Sequence, residues 1–389
     1  ADKDGVWKLR RAEDESMGKR ECLIVGVVGC GKISDIYLKN MTENFPVLKV
    51  KSCCAVHPEH ARKKAQQYGI AACTYEEMLA DPQIDMVVIL TPAPTHASLI
   101  RQALAAGKHV YTEKPIALTV EEAAELSALA EESGKYLCAA PDTFLGSALQ
   151  TARRAVDEGE IGEITGFTVN ANRCQDLMTV ILPNNNLPGG GDGLKYGIYY
   201  MTALISLLGP VEEVSALVRN PKPVRINRLP GHPDFGKEYA SPNESQIAAS
   251  LRMGNGVIGT FFLNGESILS DLALFCLYGT KGVLRLTDAN QFGGQVTLIK
   301  NTSDYFHPEE IPLDYGLPYE KDSRGVGPAE MAAAILSGRE SRTDKAMAIH
   351  VLDVFCAMER SSEKGRRAVV NSTCRRPEAF REGTNLFSL

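Results

Sequence analysis

The sequence predicts an α/β protein in two parts: a parallel sheet covered on both faces, then an α+β region with an open, mainly antiparallel sheet. Three observations carry this reading. Strand-like apolar runs alternate with helical stretches from Cys22 to Ala140, the pattern of parallel strands joined by crossover helices. A glycine-rich turn lies between the first of those strands and its helix. After Pro141 the alternation gives way to several strand-like runs broken by turn residues, as antiparallel pairing requires. A chain of 389 residues also has the length of about two ordinary domains.

Residues 23–28 form an unbroken apolar run, as a strand buried on both faces demands. A helix of mixed polarity is expected over 33–44 and a second strand over 48–56. The charged helix 58–68 opens on Pro58, whose fixed φ suits a first helical turn. A short helix at 75–80 leads to a strand at 85–90. The helix 95–106 closes at Gly107, a residue that takes the left-handed conformation without steric cost. A strand at 108–112, a helix at 119–133 with Glu122 placed for a capping box, and a strand at 136–140 complete the first part. A helix follows at 144–157. Strands are then expected at 162–172, 212–219, 245–253, 256–264, 272–278 and 282–286, with Gly254-Asn255-Gly256 as a hairpin turn. Residues 220–243, rich in Pro, Gly and Asn, read as a long loop. Residues 343–361 read as a helix that returns to pack on the first part.

The expected organisation is an extension at 1–21, a first domain at 22–142 and a second at 143–389. Met17 reads as a start residue, and 1–16 are set aside. Hydrophobic residues make up 44% and charged residues 23%, the balance of a globular protein. A net charge of −6 leaves no basic footprint for nucleic acid. No apolar run approaches the ~18 residues of a membrane span. Ten cysteines, among them the adjacent Cys53 and Cys54, form no C-x-x-C and no Cys/His zinc spacing. Free thiols, no metal site and a cytoplasmic setting are expected.

The turn after the first strand reads Gly29-Cys30-Gly31-Lys32-Ile33-Ser34. Gly29 permits the tight turn, Gly31 lets backbone approach a pyrophosphate, and the small Ser34 lets helix pack on strand. The helix N-terminus then faces the anion. In its βαβ setting this is a Rossmann dinucleotide-binding turn, with Gly29, Cys30, Gly31, Lys32 and Ile33 at the cofactor. The acid that grips the ribose of NAD normally ends the second strand. That end reads Cys53-Cys54-Ala55-Val56-His57-Pro58, with no acid before Glu59. His57, with Arg62 and Lys63 nearby, is a candidate for a 2′-phosphate and reads equally well as a surface residue at a turn. The cofactor is therefore NAD or NADP.

Thr91-Pro92-Ala93-Pro94-Thr95-His96 follows the strand 85–90, and Glu113-Lys114-Pro115 follows the strand 108–112. Both lie at carboxyl ends of parallel strands, where open α/β sheets bind ligands. This layout resembles the glucose–fructose oxidoreductase / inositol dehydrogenase / rhizopine-catabolism family, Gfo/Idh/MocA, over nearly all of residues 22–365. The resemblance implies that Thr91, Pro92, His96, Glu113 and Lys114 lie at the cofactor, with Lys114 between nicotinamide and substrate hydroxyl. The chemistry agrees. Removing hydride from a secondary alcohol needs a base for the hydroxyl proton, and a lysine serves when burial or nearby positive charge lowers its pKa.

Gly189-Gly190-Gly191 opens a helix expected to run to 208. Here the resemblance implies an Asp, a His or Tyr four residues later, and often a further Asp. The matching positions hold Lys195, Tyr199 and Thr202, a spacing that puts all three on one helical face. Asp192 falls one turn earlier on that face, and Tyr196 and Tyr200 read as core. Lys195 and Tyr199 join Lys114 as catalytic candidates. A lysine in place of the family acid leaves four readings open. Lys195 is the base while Lys114 orients; or it binds an acidic substrate such as a sugar acid; or dehydrogenase chemistry is lost; or it turns outward, paired with Asp192.

The resemblance implies an NAD(P)-dependent dehydrogenase acting on a secondary hydroxyl or ketone of a sugar-like molecule: a sugar, cyclitol or glycoside. It also implies a homo-oligomer, dimer or tetramer, which an open sheet burying its free face would equally favour. Two other classes stand beside it. One is a glycosidase or lyase working by transient oxidation with tightly bound NAD. The other is a non-catalytic cofactor-binding paralogue, favoured by the missing ribose acid and by Lys195, disfavoured by Glu113-Lys114-Pro115 and Tyr199.

Overall fold

A computed structural model of the chain describes residues 21–268, 273–302, 306–380, 383, 384 and 386. The expected extension, Glu21 apart, lies outside them. Residues 23–139 form β1 (Leu23–Val28), α1 (Ser34–Glu43), β2 (Leu48–Cys54), α2 (Pro58–Tyr68), β3 (Ala71–Ala72), α3 (Tyr75–Ala80), β4 (Met86–Ile89), α4 (His96–Ala105), β5 (His109–Thr112), α5 (Val120–Ser133) and β6 (Leu137–Ala139). The six strands pair in parallel in the order β3-β2-β1-β4-β5-β6. The chain thus builds outward from β1 in one direction and returns to continue from its other side at β4. The crevice at this reversal, outside the carboxyl ends of β1 and β4, is where such sheets bind ligands. Val25 and Val27 are fully buried, as are Met86 to Ile89, which explains why these strands read as continuous apolar runs. The capping box expected at 119/122 is modified. Thr119 accepts from the Glu122 amide (3.1 Å), but the Glu122 carboxylate accepts from Leu118, one residue before the cap (3.3 Å).

The rest of the chain forms α6 (Ser147–Asp157), β7 (Ile164–Asn172), α7 (Gln175–Ile181), α8 (Ile198–Leu208), β8 (Val211–Arg219), β9 (Val224–Ile226), β10 (Glu238–Ala240), β11 (Gln246–Met253), β12 (Ile258–Asn264), β13 (Leu274–Gly279), β14 (Val283–Leu286), β15 (Val296–Lys300), β16 (Glu309–Leu313), α9 (Val326–Ser337), α10 (Lys345–Lys364) and β17 (Ala368–Val369). Among the described residues nine of these strands make one open sheet, β16-β15-β14-β13-β7-β12-β11-β8-β17. Every pairing is antiparallel except β7 with β12. One face is core: Val214, Ala249, Leu251, Phe261, Leu263, Phe275 and Leu277 are buried. The opposite face is open. Leu217, Ala248, Phe262, Asn170 and Leu274 form one register row across five strands of it, with Leu217 72% exposed.

Two findings depart from the sequence reading. First, 220–243 is more than a loop. β9 and β10 form a hairpin pinned by Arg225, which is buried and pairs with Asp176 (2.6 Å) and with Glu266. Ser245 supplies a further hydrogen bond to Glu266 (2.6 Å). Composition signalled the turns but not the buried cation that fastens them. Second, the expected return of the late helix α10 is joined by α9, for which the sequence reading had no helix, in covering the first sheet. α10 runs along β8 yet also contacts α5 and β6, and α9 packs on α1, β5 and β6. Contact there is close: a Cβ on Gly327 would meet the Tyr111 hydroxyl at 2.2 Å.

Arg225→Ala would leave Asp176 and Glu266 with only the exposed Lys222 ammonium between them, a loss of up to about 3–5 kcal/mol for a broken buried pair. Urea denaturation should show that loss, and limited proteolysis should show new cleavage within 224–240.

Candidate active site

The turn after β1 has the geometry its glycines promised. Gly29 sits at φ +100°, and a Cβ there would meet the Leu90 backbone at 2.9 Å. Ser34 is buried, and its amide and hydroxyl both donate to the Gly31 carbonyl (3.1 and 2.6 Å), closing the turn onto α1. Gly31 faces open space: no described atom lies within 4 Å of a Cβ built on it. Cys30 turns inward, its thiol 3.5 Å from the Cys54 carbonyl, so only its backbone faces the turn. Lys32 is exposed and Ile33 half-buried. An open glycine face at a helix N-terminus, beside the reversal of strand order, fits the pyrophosphate of a dinucleotide.

The end of β2 offers less. Val56 is 93% exposed, and His57 caps α2 with its ring 3.8 Å from Glu59. Arg62 and Lys63 are exposed, whereas Lys64 is paired with Asp35 of α1. His96, expected at the cofactor, is fully buried instead. Its Nδ1 lies 2.7 Å from the Pro115 carbonyl and its Nε2 2.7 Å from that of Thr91. With a carbonyl facing each nitrogen, the ring bridges the 91–96 loop and the 113–115 segment and positions backbone. Thr91 is half-buried and receives the Thr95 hydroxyl (2.7 Å), while Pro92 is exposed.

Glu113 and Lys114 leave the carboxyl end of β5. The Glu113 carboxylate accepts the hydroxyl of the buried Tyr37 (2.8 Å). The Lys114 ammonium donates to the Lys195 carbonyl (2.8 Å) and lies 4.8 Å from the centroid of the Tyr199 ring. Burial lowers the Lys114 pKa to about 8; Glu113 opposes the shift, and Arg324 and Arg173 add to it. Burial, then the charge of Lys114, brings Lys195 to about 8 as well. Burial pushes the Tyr199 hydroxyl up to about 12 against the pull of the neighbouring Arg324 guanidinium.

The glycine-rich segment does not run straight into an α-helix. A π-helical turn, Gly193–Gly197, precedes α8, a device frequent at functional sites. It is wedged against α10: a Cβ on Gly197 would meet Leu263 at 2.4 Å and Phe355 at 3.1 Å. The wider turn breaks the single stripe expected of Lys195, Tyr199 and Thr202. Thr202 is buried in α8, while Lys195 and Tyr199 are half-buried and both are reached by Lys114. Asp192 is not an outward partner for Lys195. It is buried near Glu244, and burial with that second carboxylate raises its pKa to about 7. Tyr196 and Tyr200 are core, their hydroxyls 3.1 Å apart, with Tyr200 donating to Asp288 (2.7 Å).

Sequence reasoning missed Tyr37, Asp142, Arg173 and Arg324. Asp142 accepts the amides of Gly325 (3.1 Å) and Gly327 (3.0 Å), fastening the loop that carries Arg324. Asn40 of α1 holds the same loop through the carbonyls of Asp322 and Arg324. Arg173 stacks on Tyr196, 3.7 Å from its ring centroid. No local pattern marks these residues, because Arg324 reaches Tyr199 only after α9 has folded back onto the first sheet.

Comparison with known proteins matches residues 23–140 to "Oxidoreductase family, NAD-binding Rossmann fold" and residues 149–285 to the "GFO/IDH/MocA C-terminal domain". The trans-1,2-dihydrobenzene-1,2-diol dehydrogenase of Oryctolagus cuniculus is 27% identical over 253 residues, covering 64% of this chain and 71% of that protein. The scyllo-inositol 2-dehydrogenase (NAD(+)) of Bacillus subtilis (strain 168) is 33% identical over 149 residues, 36% of this chain and 43% of that one. Several curated relatives are matched over less than two thirds of their own length. In fold, the chain is similar to levoglucosan dehydrogenase in complex with NADH, with a TM-score of 0.76 and 18% identity over 90% of this chain and 99% of that one.

Gly31→Ala tests the fit of the turn. The new methyl meets no atom of the described residues, so the melting temperature should not change. NADH affinity, read by fluorescence titration, should fall about tenfold, roughly 1.4 kcal/mol. Unchanged affinity would remove Gly31 from the binding surface.

Proposed function

The chain belongs to the Gfo/Idh/MocA oxidoreductase family, and from that premise we propose that it is an NAD(P)-dependent dehydrogenase acting on a secondary hydroxyl of a sugar, cyclitol or glycoside. The observation that carries this is the setting of Lys114. It is a half-buried lysine at the carboxyl end of β5, beside the ligand crevice, held near neutrality and within reach of Tyr199. A bound nicotinamide would supply the hydride acceptor. Lys114, as the free amine, takes the hydroxyl proton of the alcohol at its Nζ. Tyr199 keeps its proton through the neutral range and so orients the hydroxyl as a donor. Tyr37 holds Glu113, and His96 holds the Pro115 carbonyl, so the segment on either side of Lys114 is anchored. Asp142 and Asn40 anchor the Arg324 loop, and Arg324 keeps positive charge beside the amine, which favours its neutral form. Gly29, Gly31 and the backbone of Cys30, with Thr91 nearby, would hold the dinucleotide. His57, Arg62 and Lys63 are the residues that would meet a 2′-phosphate, so NADP stands as an option beside NAD.

The same reading includes assembly between copies of the chain through the open face of the second sheet, where Leu217, Phe262 and Leu274 share a row. It also includes a domain boundary near 142 and a cytoplasmic setting, in which thiols such as Cys53 and Cys54 stay reduced.

Lys114→Met keeps the stem and removes the base. Turnover should fall by at least about a hundredfold while NADH binding is retained; retained turnover would exclude Lys114 from proton transfer. In the oxidation direction the working form is the neutral amine. The rate should therefore rise with pH, about tenfold per unit below a midpoint near 8, and level off above it; a profile flat from pH 6 to 9 would sink the assignment. For the assembly, light scattering coupled to size exclusion should give a multimer, and Leu217→Arg with Phe262→Arg should shift it to monomer.

A further inference from the structure

The structure assigns a sign to the substrate: we infer that this site takes an anionic polyhydroxylated molecule, a sugar acid or hydroxy acid whose carboxylate lies against Lys195, rather than a neutral sugar. The inference rests on the dehydrogenase reading above and names its substrate class.

The charges around Lys114 carry it. Its ammonium lies over the Tyr199 ring, and three more cations interact with it: Lys195 on the π turn, Arg324, which also acts on Tyr199, and Arg173, which stacks on Tyr196. The nearby carboxylates are already committed. Glu113 accepts from Tyr37 and from the Lys114 amide, and its single charge is shared between Lys114 and Lys195. Asp142 accepts two backbone amides. Asp322 pairs with Arg324 (2.7 Å). Asp192 lies on the Arg173 side, its charge acting on Arg173 and Arg225 and its Oδ2 toward Gly265, and it makes no ion pair with Lys195. Among the described residues the Lys195 ammonium has neither a hydrogen bond nor an ion pair, and the Arg173 guanidinium has only the Tyr196 ring.

An ammonium removed from water without a partner is unfavourable by several kcal/mol. It either loses its proton or finds an anion. Both lysines sit near the balance point between those outcomes, so an arriving carboxylate would shift Lys195 toward its charged form. Position fits as well. Lys114 contacts the backbone carbonyl of Lys195 itself. A carboxylate held by the Lys195 side chain would therefore lie only a few bonds from a hydroxyl facing Lys114. An acid at position 195 would repel that carboxylate, and the lysine there inverts the preference.

The test uses the full chain loaded with NADH. Calorimetric titration at pH 7 compares D-gluconate and D-glucuronate with D-glucose, myo-inositol and D-glucose 6-phosphate. At least one acid is expected to bind about tenfold tighter than the neutral compounds, with proton uptake at pH 8 seen as a dependence of heat on buffer ionisation. Lys195→Gln should abolish the preference, and Lys195→Asp should reverse it, each with a melting curve to establish folding. Neutral compounds binding as tightly as the acids, no acid binding at all, or a preference that survives both substitutions would overturn the inference. Binding of the phosphate ester alone would overturn the carboxylate assignment. Oxidation of a neutral polyol without acid binding would defeat only this inference and leave the dehydrogenase standing. Failure to bind NADH would defeat both.

Discussion

A parallel sheet presents apolar side chains on both faces and is stable only when both are covered. Here part of that cover comes from the far end of the chain, where α9 and α10 fold back onto the first sheet. The site depends on this return. It carries Arg324 to Tyr199 and presses Phe355 against the glycine of the π turn. It also closes the loop that Asp142 and Asn40 hold in place. The two sheets are therefore not independent units that happen to flank a cleft. The packing that buries one also assembles the chemistry between them.

That packing sets the electrostatics. Removing Lys114 and Lys195 from water lowers both toward neutrality, and the arginines that arrive with the second sheet deepen the shift on Lys114. The carboxylates follow the opposite course. Asp142 is raised to about 6 and Asp192 to about 7, each chiefly by burial. The two lysines are thus weakened as cations and the two aspartates as acids, with Asp142 held by backbone amides. A lysine poised near neutral pH follows from burial and like charge together.

The architecture was largely legible along the chain. β1, α2 and α3 fall on the expected residues, and each of the six expected strands after Pro141 has its counterpart in the second sheet. Strand and helix periodicities are local properties, and Gly29 and Gly31 were readable because a turn is made by neighbours. What was not legible came from contacts between distant residues. The hairpin at 224–240 looked like loop because its stabilising group, Arg225, finds Asp176 49 positions away and Glu266 41 positions away. The stripe of Lys195, Tyr199 and Thr202 was misdrawn because the sequence assumed 3.6 residues per turn, and the π turn is wider. His96 looked like a ligand contact because sequence places it beside the crevice but cannot show which way its ring points.

The amino-acid sequence by itself determined the strand–helix alternation, the phosphate-binding turn and the position of Lys114 after β5, since each depends on residues within a few positions of one another. It also determined the exchange of an acid for Lys195. Only the tertiary structure decided what that exchange means. Whether a lysine is charged, paired or free depends on which groups from other elements surround it and on how much water remains. Here those groups come from β7, from the loop before α9 and from the end of β5, and only the fold brings them within reach of one another.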